Sequence, residues 1–204
     1  MRENKSSSTL RREAREMMKK QGYFNLLIGL LIISLILGVS SFISPLLIGP
    51  AMVGLACFYV NGFRKEKVRF EDLFEPATKN FINLLVMGLL KTIFLFLWSL
   101  LFIIPGLIKS YSYAMVEFIA LDNPELDGNE AITKSREMMD GNKLRLFLLH
   151  LSFIGWFLLG ILTFGIGLIF LAPYIKAAET AFYINLLGNN EEVVVEDEVE
   201  ATFY

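Results

Sequence analysis

Apolar residues along this chain gather into six blocks, at residues 23–43, 46–63, 81–104, 107–121, 144–162 and 167–187. At about 1.5 Å per residue, a block near 20 residues crosses the ~30 Å hydrocarbon core of a bilayer. The fourth block is short, about 22 Å, and needs a thinned bilayer or shelter from neighbouring helices. Helix breakers stand within each pair of blocks: Ser44-Pro45, Pro105-Gly106 and the glycine turn at 163–166. Pro173 predicts a kink in the last block. The pattern predicts an all-α fold, a polytopic membrane helix bundle with six transmembrane helices as three hairpins and cytoplasmic amphipathic helices. Residues 1–187 then make a single integral membrane domain, and 188–204 an acidic disordered tail.

The polar segments carry helical periodicity of their own. Residues 1–8 read as irregular, and Ser8 or Thr9 as the cap of a helix that puts Leu10, Ala14, Met17 and Met18 on one face. Phe70, Leu73, Phe74 and Ala77 predict a second surface helix. Asn123-Pro124 reads as a cap and first helical position, and Asp127 with Glu130 as a capping box. The helix behind them places Ala131, Ile132, Ser135, Met138 and Met139 on one side and stops at Gly141.

Charge orients the bundle. The three turns inside the hairpins carry no charged residue. Every Lys or Arg outside the blocks lies before the first, between the second and third, or between the fourth and fifth. The positive-inside rule makes those segments, and both termini, cytoplasmic in a cell membrane. Residues 1–21 carry seven Lys or Arg against three Glu, and the tail carries six acids with no base. The basic helix fits either an orienting flank or a lipid-recognising surface. The first block is longer than a secretory signal core and ends without an A-x-A-like site, so it reads as a membrane helix. Composition agrees: the chain is 54% hydrophobic, with mean hydropathy +0.53. Cys57 is the sole cysteine, so no internal disulfide forms.

Part of the pattern recurs. Arg15-Glu16-Met17-Met18 returns as Arg136-Glu137-Met138-Met139, and Asn25-Leu26-Leu27 as Asn83-Leu84-Leu85. Ile108-Lys109 and Ile175-Lys176 hold similar places in the later hairpins. Three tandem units follow, each a surface helix and a membrane hairpin.

The run 104–183 contains IPGLIKSYSYAMVEFIALDNPEL, NEAITKSREMMDGNKLRLF and LHLSFIGWFLLGILTFGIGLIFLAPYIKAA. It resembles the family known as domain of unknown function 975. The likeness covers nearly half the chain closely, and the basic start and first hairpin fit it more loosely. That family is similar, at greater distance, to the membrane portion fused to some glycerophosphodiester phosphodiesterases. The resemblance implies a multi-pass membrane protein of bacterial, mainly Gram-positive, type. It carries over no catalytic residue, and the phosphodiesterase domain has no counterpart here.

Candidate chemistry lies in ionisable residues within the blocks: Lys91, Lys109, Glu117, His150, Lys176 and Glu179. A charge at mid-depth costs at least about 2.5–3.5 kcal/mol on insertion scales, so such groups face protein or water. Lys109 lies close enough to Pro105 to snorkel outward. Glu179 follows Lys176 by three residues and pairs with it, which leaves Glu117 for Lys91. His150 reads as a satisfied polar contact. The pairs either lock helices together or line a polar path for an ion, proton or amphiphile. One His and one Cys make no closed zinc site, and no H-E-x-x-H, G-x-S-x-G or phosphate-loop motif occurs. The expectation is a protein without enzymatic activity, cofactor or nucleic-acid partner. Its surroundings are the lipid bilayer and protein partners at the cytoplasmic face, and no feature specifies an oligomeric state. Its expected role is to organise or assist those partners; the alternative is a small transporter or lipid-handling protein.

Overall fold

A computed structural model of the chain describes residues 5–39, 44–65, 67–101, 103–163 and 165–202. Helices α1 (Ser7–Gln21), α2 (Tyr23–Val39) and α3 (Ser44–Arg64) precede a 3-10 turn at Phe70–Leu73. Then follow α4 (Glu75–Leu101), α5 (Ile103–Ser112), α6 (Val116–Asp122), α7 (Gly128–Met138), α8 (Lys143–Leu151), α9 (Ile154–Leu162) and α10 (Ile166–Thr202). The protein is all-α, with no strand among the described residues.

Among the described residues, three helical stretches are long and apolar enough to cross a membrane: Leu47–Arg64, Phe70–Trp98 and Lys143–Leu162. The bent pair Ser7–Gln21 and Tyr23–Ile36 is a fourth candidate. The blocks at 107–121 and 167–187 do not join them. The first is interrupted by a turn at 113–115, and Pro173, Lys176 and Glu179 dilute the second. The end of the first block, at 40–43, lies outside the described residues, as do residues 1–4 and Phe164 of the third hairpin turn.

Helix α3 is the centre. Of its apolar stretch 72% is buried inside the protein, against 17% for Phe70–Trp98 and 22% for Lys143–Leu162. Helices α1, α2, α4, α6 and α10 and the 3-10 turn all pack on it. Glycine makes this crowding feasible. A Cβ on Gly49 would overlap the Leu84 carbonyl and press on Gly88, and one on Gly54 would overlap the Leu73 carbonyl. Small residues let backbones approach to van der Waals contact, which drives helix association where solvent is as apolar as the side chains. Around α3 are buried Phe58, Tyr59, Phe118, Phe182 and Tyr183. Large apolar side chains point away from the centre, including Phe24 and Leu35 on α2, Phe96 on α4, and Leu158 and Leu162 on α9. So dense an exposed apolar surface marks a membrane or protein contact.

The surface helices follow the sequence pattern in part. On α1, Leu10, Ala14, Met17 and Met18 are buried as expected, but the cap is Ser6, whose hydroxyl accepts from the Thr9 N–H. Gly22, at φ +84°, then turns the chain by 94° into α2. Gln21 fastens that corner to the end of α3: its amide donates to the Gly62 and Lys65 carbonyls at 2.8 and 3.0 Å, and its oxygen accepts from the Val68 N–H. On α7, Ala131, Ile132, Ser135 and Met139 are buried and Met138 half-buried. Gly141, at φ +70°, lies just past its end. The two Arg-Glu-Met-Met segments thus both sit on helices followed by a left-handed glycine and an apolar helix.

Several local expectations are corrected. The middle surface helix is only a 3-10 turn, begun by Asp72, whose carboxylate accepts from the Arg69 N–H, and followed at once by α4; Leu73 is buried but Phe70 and Phe74 are exposed. Pro105-Gly106 is not the turn but part of the first turn of α5, where proline needs no N–H partner. Asn123-Pro124 lies in the loop, and α7 begins behind Asp127, whose carboxylate accepts from Asn129 and Glu130 N–H groups at 2.8 Å while Glu130 accepts from the Asp127 N–H. Helix α10 runs on to Thr202; beyond Gly188 the sequence has no glycine or proline.

Replacing Gly49 with alanine is expected to destabilise the detergent-purified protein by about 2 kcal/mol through overpacking against a backbone that cannot swing aside. Gly155→Ala, where a Cβ meets nothing, should raise stability by about 0.5–1 kcal/mol. Thermal unfolding followed by circular dichroism checks both; equal effects would mean the α3–α4 approach is not a constraint.

Candidate functional site

The break between α5 and α6 creates the site. A helix interruption leaves backbone groups without partners. Here Ser135 of α7, fully buried, supplies them: its hydroxyl donates to the Ser112 carbonyl at 2.9 Å and accepts from the Met115 N–H at 3.3 Å. At the other end of α6, Asp122 receives both terminal nitrogens of Arg64 at 2.8 Å and the Tyr183 hydroxyl at 2.8 Å. Helix α6 is thereby held between α3, α7 and α10, with Glu117 and Phe118 turned toward the interior.

Glu117 meets Lys91 of α4 at 2.5 Å, and the two side chains are 13% and 18% exposed. A second cluster lies on the other side of Phe118. Lys176 sits 4.8 Å over the Phe118 ring and 3.2 Å from the Glu179 carboxylate. The other Glu179 oxygen is 3.0 Å from His150 Nε2, and Nδ1 of that ring is 3.3 Å from the Tyr111 hydroxyl. Five helices contribute: α4, α5, α6, α8 and α10. Both expected pairings are present, Lys176 with Glu179 from spacing and Lys91 with Glu117 by elimination, and His150 is a satisfied contact. Lys109 stands apart, its ammonium 4.6 Å over the Trp98 ring.

A cavity of about 220 Å³ opens beside the first pair, lined by Ile48, Gly49, Met52, Gly88, Lys91 and Glu117 among others. Lys176 and Glu179 do not line it. The glycines that permit the α3–α4 approach therefore also shape the space beside the ion pair.

Sequence reasoning did not find Ser135 as a bridge, nor the Arg64–Asp122–Tyr183 link. Ser135 offered one signal, a small polar residue on the apolar face of α7. Asp122 and Tyr183 offered none, because each reads as an ordinary end-of-helix or interfacial residue.

Partner loss should differ between the clusters. In Lys91→Met, Glu117 keeps no hydrogen-bonded partner among the described residues, and stability should fall by about 3 kcal/mol. Lys176→Met should cost less, because Glu179 retains His150. Lys91→Met with Glu117→Leu should recover most of the loss, since an apolar pair can replace a buried ion pair. Unfolding midpoints and membrane abundance of the four variants, including Glu117→Leu alone, measure this; a double variant no better than the singles would show that the pair is not what holds α4 to α6.

Residues 100–190 match a protein family described as Protein of unknown function (DUF975). No curated protein and no solved structure matches the chain. The matched segment contains Lys109, Glu117, His150, Lys176 and Glu179, whereas Lys91 precedes it. The part of the chain that builds most of this site resembles the DUF975 family.

Proposed function

We propose that this protein is a non-enzymatic membrane bundle whose three hairpins insert from the cytoplasmic side and whose surface helices organise or assist partner proteins there. The observation that carries this reading is the matching of charges: Lys91 joins α4 to α6 through Glu117, and Glu179, paired with Lys176 on its own helix, joins α10 to α8 through His150. The exposed apolar residues of α2, α4 and α9 supply the membrane-facing surface. The exposed polar face of α7, with Lys134, Arg136 and Glu137, supplies the partner-facing one. Six crossings, with both termini and both long loops cytoplasmic, complete the topology by the positive-inside rule.

A second reading, a small transporter or lipid-handling protein, draws on the cavity beside Lys91 and Glu117. Such a path needs both charged pairs to reach the cavity, and only one does.

Two measurements test the proposal. In a Cys57→Ala background, an impermeant maleimide applied to intact cells should label Leu162→Cys at the tip of the third hairpin. It should label Lys134→Cys only after permeabilisation. Labelling of Lys134→Cys in intact cells would overturn the topology, and a silent Leu162→Cys would mean that this hairpin stops within the bilayer. For the role, photocrosslinkers at Glu137 should give a discrete protein adduct that charge reversal at Arg136 abolishes without lowering abundance. A Lys91→Met, Glu117→Leu protein that is abundant yet loses the cellular phenotype would favour the transporter.

A further inference from the structure

A large groove lies away from the charged pairs, between α1, α9 and the start of α10. It has a volume of about 730 Å³, within the range of small-molecule sites. Arg11, Arg15 and Lys19 of α1 line one part, and Trp156, Leu159 and Phe170, with Gly160 of α9 and Gly167 of α10, line another. No acidic residue lines it.

We propose that this groove binds one anionic glycerophospholipid of the cytoplasmic leaflet, its phosphate on Arg15, Lys19 and Arg11 and one acyl chain along α9 and α10. The inference rests on the membrane reading above and adds a ligand to it.

Charge complementarity is the first support. Arg15 and Lys19 are exposed and have no ion-pair partner among the described residues, whereas neighbouring Arg12 and Lys5 are paired with Glu16 and Glu13. Arg11 is fixed in place: one terminal nitrogen donates to the Ser152 carbonyl at 3.1 Å, where the α8–α9 break frees that acceptor, and the guanidinium lies 5.9 Å from the Phe153 ring. Its Nε is buried without an acceptor among the described groups. A guanidinium held this way is a preorganised phosphate donor.

Depth is the second support. Arg12 and Glu16 on α1 are 68% and 70% exposed, and charged groups so placed are excluded from hydrocarbon, which puts α1 at headgroup level in the membrane reading. From there α9 extends over Ile154–Leu162, about 13 Å, close to the ~15 Å acyl depth of one leaflet. Apolar walls of that length below three cations match an acidic lipid end to end. The floor is firm, because the Tyr23 hydroxyl donates to the Phe170 carbonyl at 2.5 Å and the Tyr174 hydroxyl donates to that of Arg11 at 3.2 Å.

Trp156 is a built-in reporter, since Trp98 is the only other tryptophan. In a Trp98→Phe background the full chain in detergent is titrated with phosphatidylglycerol or phosphatidylcholine brominated on the acyl chain. Phosphatidylglycerol should quench Trp156 saturably and at least tenfold more tightly than phosphatidylcholine. Arg15→Gln with Lys19→Gln should weaken phosphatidylglycerol by about thirtyfold and leave phosphatidylcholine unchanged. Both residues are exposed and unpaired, so the double variant should keep its circular dichroism and melting point. Equal quenching by the two lipids, or indifference to the double variant, would reduce the groove to ordinary lipid boundary. Displacement by submillimolar inorganic phosphate would make it a free-phosphate site instead. A large gain in affinity on deleting 189–204 would assign the groove to the acidic terminus. Failure of the membrane reading shows separately, as protein recovered in the soluble fraction without detergent.

Discussion

Backbone contact at α3 is the constraint on which the remaining structure depends. Gly49 and Gly88 bring α3 and α4 so close that no side chain fits between them, and Gly54 does the same for the 3-10 turn. Dispersion falls away within an ångström of the optimum, so this approach is strong only if both backbones stay in place. It draws α4 inward far enough for Lys91 to reach Glu117, and it shapes the cavity beside them. A bulkier residue at either glycine would move the pair apart as well as loosen the helices.

Interrupted helices do much of the positioning. The breaks at 113–115 and at Ser152-Phe153 each free backbone groups, and each is met by a polar side chain from a distant helix: Ser135 at the first, Arg11 at the second. Unpaired backbone groups are costly away from water, so these breaks are tolerable only with such partners. The result is that α7 and α1 are joined to the bundle by specific hydrogen bonds as well as by apolar faces.

The charged groups also join helices. Arg64, Asp122 and Tyr183 tie the ends of α3 and α6 to the middle of α10, while Lys91 with Glu117 joins α4 to α6 and His150 with Glu179 joins α8 to α10. The exposed faces of α2, α4 and α9 carry many large apolar side chains. Apolar surfaces of this kind are compatible with a membrane protein.

Much of this was written in local sequence. Apolar blocks, the amphipathic stripe of α1, the Asp127–Glu130 capping box and the stop at Gly141 depend on residues within a turn or two of each other, so periodicity and capping chemistry reveal them. The i, i+3 pairing of Lys176 with Glu179 is legible for the same reason. Lys91 with Glu117 was accessible only by elimination, because it needs two helices to cross at a given depth. The tertiary structure alone decided the break in the fourth block, since Tyr113, Ala114 and Met115 carry no breaker and the interruption is stabilised by Ser135 from another helix. It also decided that Phe70–Leu73 is a turn and that α1 lies across α9 and α10 to enclose a groove. Such features depend on which surfaces meet, and a one-dimensional pattern holds the faces but not their pairing.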